Sequence, residues 1–122
     1  MSVRQVLSLY LIQKVILMKF FIAVDHNEQT VDLLTEDDLI EQYDLDCEEV
    51  EEITNEVERI GELASLADVE IAWDRSDAVS LIAEELIDMD IEGVDDVLLG
   101  YANMLKKIAE NPTWDELILK YS

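Results

Sequence analysis

Between positions 48 and 62 the chain places Glu48, Glu49, Glu51, Glu52, Glu56, Glu58 and Glu62. Carboxylates at such density can transfer protons, hold cations, or pair with lysine and arginine on another surface. Proton transfer needs a pair set apart by its surroundings, and acids are so frequent here that no pair is set apart. His26 falls in a predicted turn among polar residues, which points to a solvated ring and not to a general base. Cys47 is flanked by Asp46, Glu48 and Glu49, a poor setting for a nucleophile. The chain has no glycine-rich phosphate loop and no nucleophile elbow. It is expected not to be an enzyme and to need no cofactor.

Cation binding is the next option. Asp88-Met89-Asp90-Ile91-Glu92-Gly93 matches the first half of a calcium loop, with oxygen ligands at alternate positions and glycine sixth. Leu99 then stands where a bidentate glutamate closes the coordination sphere, and Asp95 takes a normally apolar position. A second partial match, Asp25-x-Asn27-x-Gln29 ending at Glu36, has Thr30 in place of the glycine. Calcium binding therefore stays a minor alternative, with no metal expected.

The third option fits the charge. The chain has 30 acids against 8 Lys and Arg, a net charge of −22. Residues 1–24 carry Arg4, Lys14 and Lys19 without an acid. Between residues 25 and 96 the only bases are Arg59 and Arg75. Direct binding to DNA, RNA or an anionic membrane face is excluded as a main activity, because a phosphate surface is held by cations. Like charges one helical turn apart cost a few tenths of a kcal/mol each, whereas a solvated helix usually alternates Glu with Lys. A helix that accepts this cost keeps an anionic face. Its carboxylates would sit about 5–6 Å apart on successive turns and extend over roughly 20 Å. In electrostatic outline such a row resembles the phosphates of one DNA strand, and a cationic groove attracts it at long range.

In size and charge the chain resembles a functional class, the small acidic proteins with which phage and mobile elements block restriction and CRISPR effectors. The resemblance implies an acidic DNA-mimic inhibitor seated in the cationic nucleic-acid groove of a CRISPR effector, restriction enzyme or nuclease. It would act in the cytoplasm of a bacterial host cell. The candidate contact residues are Asp37, Asp38, Glu41, Asp44, Glu48, Glu49, Glu51, Glu52, Glu56 and Glu58. An alternative is an immunity protein or antitoxin that neutralises one basic nuclease toxin. For that role Tyr43, Trp73 or Tyr101, exposed among the acids, would serve as anchors. A merely salt-adapted surface fits less well, since large aliphatic residues are abundant.

The elements that position these acids follow from patterning. With 122 residues, half of them apolar, the chain fits one domain over 1–122. A lone cysteine permits no internal disulfide and suits a reducing compartment. Arg4 followed by the apolar run Val6–Ile12 loosely resembles a signal peptide, but Gln13 and Lys14 interrupt it and no small-residue cleavage site follows. Lys14 and Lys19 likewise divide any membrane span. Residues 1–17 form an optional apolar leader if translation starts at Met18, and the apolar first 24 residues offer a homodimer surface. Residues 20–24 read as a buried strand, 25–29 as a turn and 30–34 as a returning strand. Thr35 with Asp38 forms a capping box. The spacing of Val50, Ile53, Val57, Ile60, Ala64 and Ala67 predicts one helix from Asp46 to Ala67, with Glu49 in its first turn. Residues 69–73 alternate as a strand, and Asp74 or Ser76 caps a helix that turns Val79, Ile82, Ala83, Leu86 and Ile87 inward. A turn at Glu92-Gly93 leads to a helix over residues 94–110, which Asn111-Pro112 ends. Thr113 and Glu116 then open a short helix bearing Trp114, Leu117 and Tyr121. The expected fold is α+β and helix-dominated, with two or three short strands and four or five helices.

Overall fold

Phe21-Ile22-Ala23-Val24-Asp25 is buried at every position, so this segment needs cover on both faces, and that need organises the molecule. The computed structural model describes residues 19–48, 50–88 and 95–121. Strand β1 (Phe21–Asp25) lies between β2 (Thr30–Leu34) and β3 (Glu70–Ala72), antiparallel to both. Ala23 stands opposite Asp32 on one side and Ile71 on the other.

Alternation along β1 divides the core in two. Phe21 and Ala23 join Leu34 beneath α1 (Glu36–Tyr43) and α2 (Glu56–Ala67), which supply Leu39, Ile60, Leu63 and Ala64. Ile22 and Val24 join Val31 and Ala72 beneath α3 (Arg75–Asp88), α4 (Asp95–Ala109) and α5 (Trp114–Tyr121). Ala78, Ile82, Tyr101, Met104, Ile108, Trp114 and Ile118 fill that side. Among the described residues the fold is thus α+β, with five helices around a three-stranded antiparallel sheet, in agreement with the patterning. None of the described helices is long and apolar enough to cross a membrane.

The capping box at Thr35 forms as expected. The Thr35 hydroxyl accepts from the Asp38 amide at 3.3 Å, and the Asp38 carboxylate accepts from the Thr35 amide at 3.0 Å. Asp44 and Asp68 end α1 and α2 in the left-handed conformation, at φ 49° and 58°. Glycine is usual there, but a short polar side chain tolerates it. At Gln29 (φ 55°) the β1–β2 turn closes, and its amide reaches over Gly100 to donate to the Val97 carbonyl at 3.3 Å. A side chain at position 100 would occupy the space of the Gln29 amide.

Three expectations need correction. The helix predicted from Asp46 begins ten residues later, at Glu56, with Asn55 as its cap. Residues 46–48 and 50–53 instead run through tight turns, with Glu48 N–H donating to the Asp46 carboxylate, Val50 N–H to Cys47 O and Ile53 N–H to Val50 O. The physical reason is the crowding of glutamates, together with Thr54 and Asn55, whose side chains compete for backbone groups. Val50 and Ile53 still reach the core, but from turns, while Leu63 takes the buried place expected of Val57, which is 45% exposed. In α3 the inward face is Ala78, Ile82 and half-buried Leu81 and Leu86, while Val79, Ala83 and Ile87 face outward. Asp74 caps this helix by accepting from the Asp77 amide at 2.7 Å. In α5 the buried pair is Trp114 and Ile118, with Leu117 half-buried. The leader 1–17, the Glu92-Gly93 turn and the Tyr121 side chain lie outside the described residues.

Asp25 is an acid that the fold itself consumes. It is 3% exposed, and its carboxylate accepts from the Tyr43 hydroxyl at 2.8 Å and the Glu28 amide at 3.0 Å. This pins α1 and the β1–β2 turn to the sheet and takes Asp25 out of any calcium loop. Burial, then the bond to Asp25, pushes the Tyr43 phenol up to about 12. An unfolded tyrosine ionises near 10, so between pH 10 and 12 the unfolded chain binds fewer protons than the folded one. The stability is fully present below pH 10 and is lost as pH rises through this window. Urea midpoints should fall between pH 10 and 12, and Tyr43→Phe should make that decline shallower. The slope that remains belongs in part to Tyr101, whose phenol burial also raises. An unaltered slope in Tyr43→Phe would remove Tyr43 as its source.

Candidate functional site

The acids singled out from sequence occupy one helical layer. Asp37, Asp38 and Glu41 are exposed on α1, Asp44 ends it, and Glu48, Glu51 and Glu52 are exposed on the turns that follow. Glu58 is exposed on α2, Glu56 is half-buried at its start, and Glu49 lies outside the described residues. Since α1 and α2 pack against each other, the structure brings the flanks of this acidic stretch together. It does not place Glu48–Glu58 on one helix, so the regular row of charges is replaced by an irregular cluster on helix, turns and helix.

Arg59 shows how little of this charge is neutralised. It is the one Lys or Arg within residues 48–62, and it reaches across to α1. Its guanidinium holds both oxygens of Glu36, one at 3.1 Å, and donates to the Ile53 carbonyl at 2.9 Å. The Glu36 bond raises the pKa of Arg59 further. The bidentate pair is a brace between α1, α2 and the preceding turn. Among the described residues the other ion-paired bases also serve the fold: Arg75 holds Asp115 at 3.3 Å, Lys106 holds Glu110, and Lys107 holds Asp32. Asp38 is spent on its cap. Asp37, Glu41, Glu48, Glu51, Glu52 and Glu58 remain exposed without an ion pair among the described residues.

The aromatic anchors considered for a toxin partner are not displayed. Tyr101 is 3% exposed, Tyr43 is bonded to Asp25, and Trp73 is half-buried with its ring edge-on to Phe21.

His26 lies in the β1–β2 turn as expected, but not as a solvated ring. Its ring is half-buried, with Nε2 3.1 Å from the Glu70 carboxylate and Nδ1 3.3 Å from the Tyr101 hydroxyl. A carboxylate–imidazole–phenol chain of this kind has the partners of a proton relay. Here both ring nitrogens are engaged, so the imidazole braces the turn, β3 and α4 together. Sequence held no signal for it, because Glu70 and Tyr101 lie 44 and 75 residues away. Among the described residues no three His, Cys, Asp or Glu side chains are grouped to hold a metal. The Asp88–Gly93 half-motif lies largely outside those residues.

Comparison with protein-family models, with curated proteins and with solved structures gave no match.

Proposed function

We propose that this protein is an acidic DNA mimic, which inhibits a nucleic-acid-binding enzyme by occupying its cationic groove. The observation that carries the reading is the surplus of exposed, unpaired carboxylates on α1, residues 44–55 and the start of α2. Arg59 is spent on Glu36 within this layer, and Arg75, Lys106 and Lys107 are paired with acids elsewhere. A surface of this kind is recognised through charge, which speeds encounter and weakens with salt. The irregular spacing favours mimicry of a phosphate field over imitation of helical DNA geometry. The retired aromatic anchors favour it over neutralisation of one toxin surface, which depends on such anchors. A CRISPR effector, restriction enzyme or nuclease in the cytoplasm of a bacterial cell has the complementary groove.

The test is capture of partners from bacterial lysate, followed by competition with DNA for each purified partner. The reading expects an enzyme that loses bound duplex when this protein is added, with inhibition falling steeply as salt rises. A partner that keeps its DNA in the ternary complex would rule out groove occupancy.

A further inference from the structure

The second surface of interest is the outer edge of the sheet. With strand order β2-β1-β3, β3 pairs only with β1 among the described residues. An unpaired strand edge is a template for another strand, and edges are usually guarded by lysine, proline or a bulge. β3 is only three residues long and carries the charged Glu70, but the segment Val69-Glu70-Ile71-Ala72-Trp73 contains neither lysine nor proline.

Two clefts follow one another along this segment. The first, about 560 Å³, is lined by Gly61, Ser65, Asp68, Glu70, Ile71 and Glu85 among others. The second, about 660 Å³, takes in Val57, Trp73, Asp74, Ser76 and Asp115 and one cation, Lys19. The wall formed by α2 is small where it faces β3, and a side chain at Gly61 would meet nothing within 4 Å. The two walls differ in chemistry. On the α2 side lie Gly61, Ala64, Ser65 and Ile71, while the α3 side brings Glu85 near Glu70. Every charged group of the first cleft other than His26 is an acid, namely Asp68, Glu70 and Glu85.

We infer that the outer edge of β3, unpaired among the described residues, is a docking site for an extended basic segment of a partner protein, which joins the sheet as a fourth strand. Main-chain hydrogen bonds supply the pairing, and the period of two sorts the side chains. Small apolar residues face α2, and lysine or arginine at alternate positions faces Glu85 and Glu70. This inference concerns a different surface from the acidic cluster of residues 37–58 and stands independently of the DNA-mimic reading.

A capped octapeptide of alternating lysine and valine is the probe, titrated into the full chain and followed by amide hydrogen exchange and NMR. Binding should protect amides within residues 69–73. The same peptide N-methylated at every residue keeps its charge but not its hydrogen bonds, and should bind at least tenfold more weakly. Gly61→Trp, at an exposed helical position, should fill the groove and weaken binding at least tenfold, whereas Gly61→Ala should bind as the parent does. Glu85→Lys should weaken it several-fold. Equal binding of the N-methylated peptide, shifts confined to residues 37–58, or protection without peptide of those β3 amides that do not pair with β1 would each overturn the proposal. So would a Gly61→Trp variant with normal circular dichroism and undiminished affinity.

Discussion

Replacing Glu48, Glu51 and Glu52 together by lysine should lower affinity for a cationic target groove by roughly two to three orders of magnitude while leaving the fold intact. Each reversal removes an exposed attraction and adds a repulsion of similar size, together about 1–2 kcal/mol at low salt. Three such changes reach about 3–5 kcal/mol if the contacts are independent. The three residues sit on turns, exposed and outside every ion pair of the described fold. Their removal relieves like-charge crowding, so thermal stability should hold or rise slightly. Glu56 is a poorer choice, because it is half-buried beside Arg59. The measurement is competition against duplex DNA at several salt concentrations, with circular dichroism on the same samples. Undiminished inhibition by the triple variant would remove this surface from the interface.

Phe21→Ala should have the opposite signature, loss of fold before loss of charge. Phe21 is fully buried at the start of β1, with its ring 6.0 Å from that of Trp73 in an edge-on arrangement. It sits with Leu39, Ile60 and Leu63, the residues that seat α1 and α2 on the sheet. Emptying such a site costs about 3–5 kcal/mol, from lost transfer energy and the cavity left behind. Domains of this size have about 5–15 kcal/mol in total, so the variant should be near unfolding at 37 °C. Phe21→Leu, which keeps most of the volume, should lose far less. Denaturant midpoints of the two variants check this. A shift for Phe21→Ala no larger than for Phe21→Leu would mean that the layer beneath α1 and α2 closes around the gap. The paired experiments separate the two roles of the acidic layer: the triple lysine variant keeps the platform and loses the charge, and Phe21→Ala loses the platform.

Elements governed by neighbours in the chain were legible from the sequence. The β1–β2 hairpin, the Thr35 capping box, the cap at Asp74 and the helix ended by Asn111-Pro112 all rest on local backbone chemistry, which operates over three or four residues. Of the helix expected over 46–67, only Glu56–Ala67 forms. Val50 and Ile53 keep helical spacing, yet they reach the core from i→i+3 turns, since local repulsion among glutamates outweighed the weak pull of the pattern. In α3 two apolar stripes compete on one helix, one bearing Ala78 and Ile82 and the other Val79 and Ile87. Only the direction of the sheet decides between them.

The candidate site divides in the same way. That the surface is acidic follows from composition, because charge is a property of residue types and survives any fold. Which acids are available does not follow. Asp25 is consumed by Tyr43, Glu36 by Arg59, Asp115 by Arg75 and Asp32 by Lys107, over sequence separations of 18, 23, 40 and 75 residues. These partners meet only after β1 has been covered on both faces. The sequence by itself determined the sign of the surface and the two-faced burial of its central strand. The tertiary structure decided which carboxylates hold the protein together and which are left exposed, because an ion pair depends on distance in space and not along the chain.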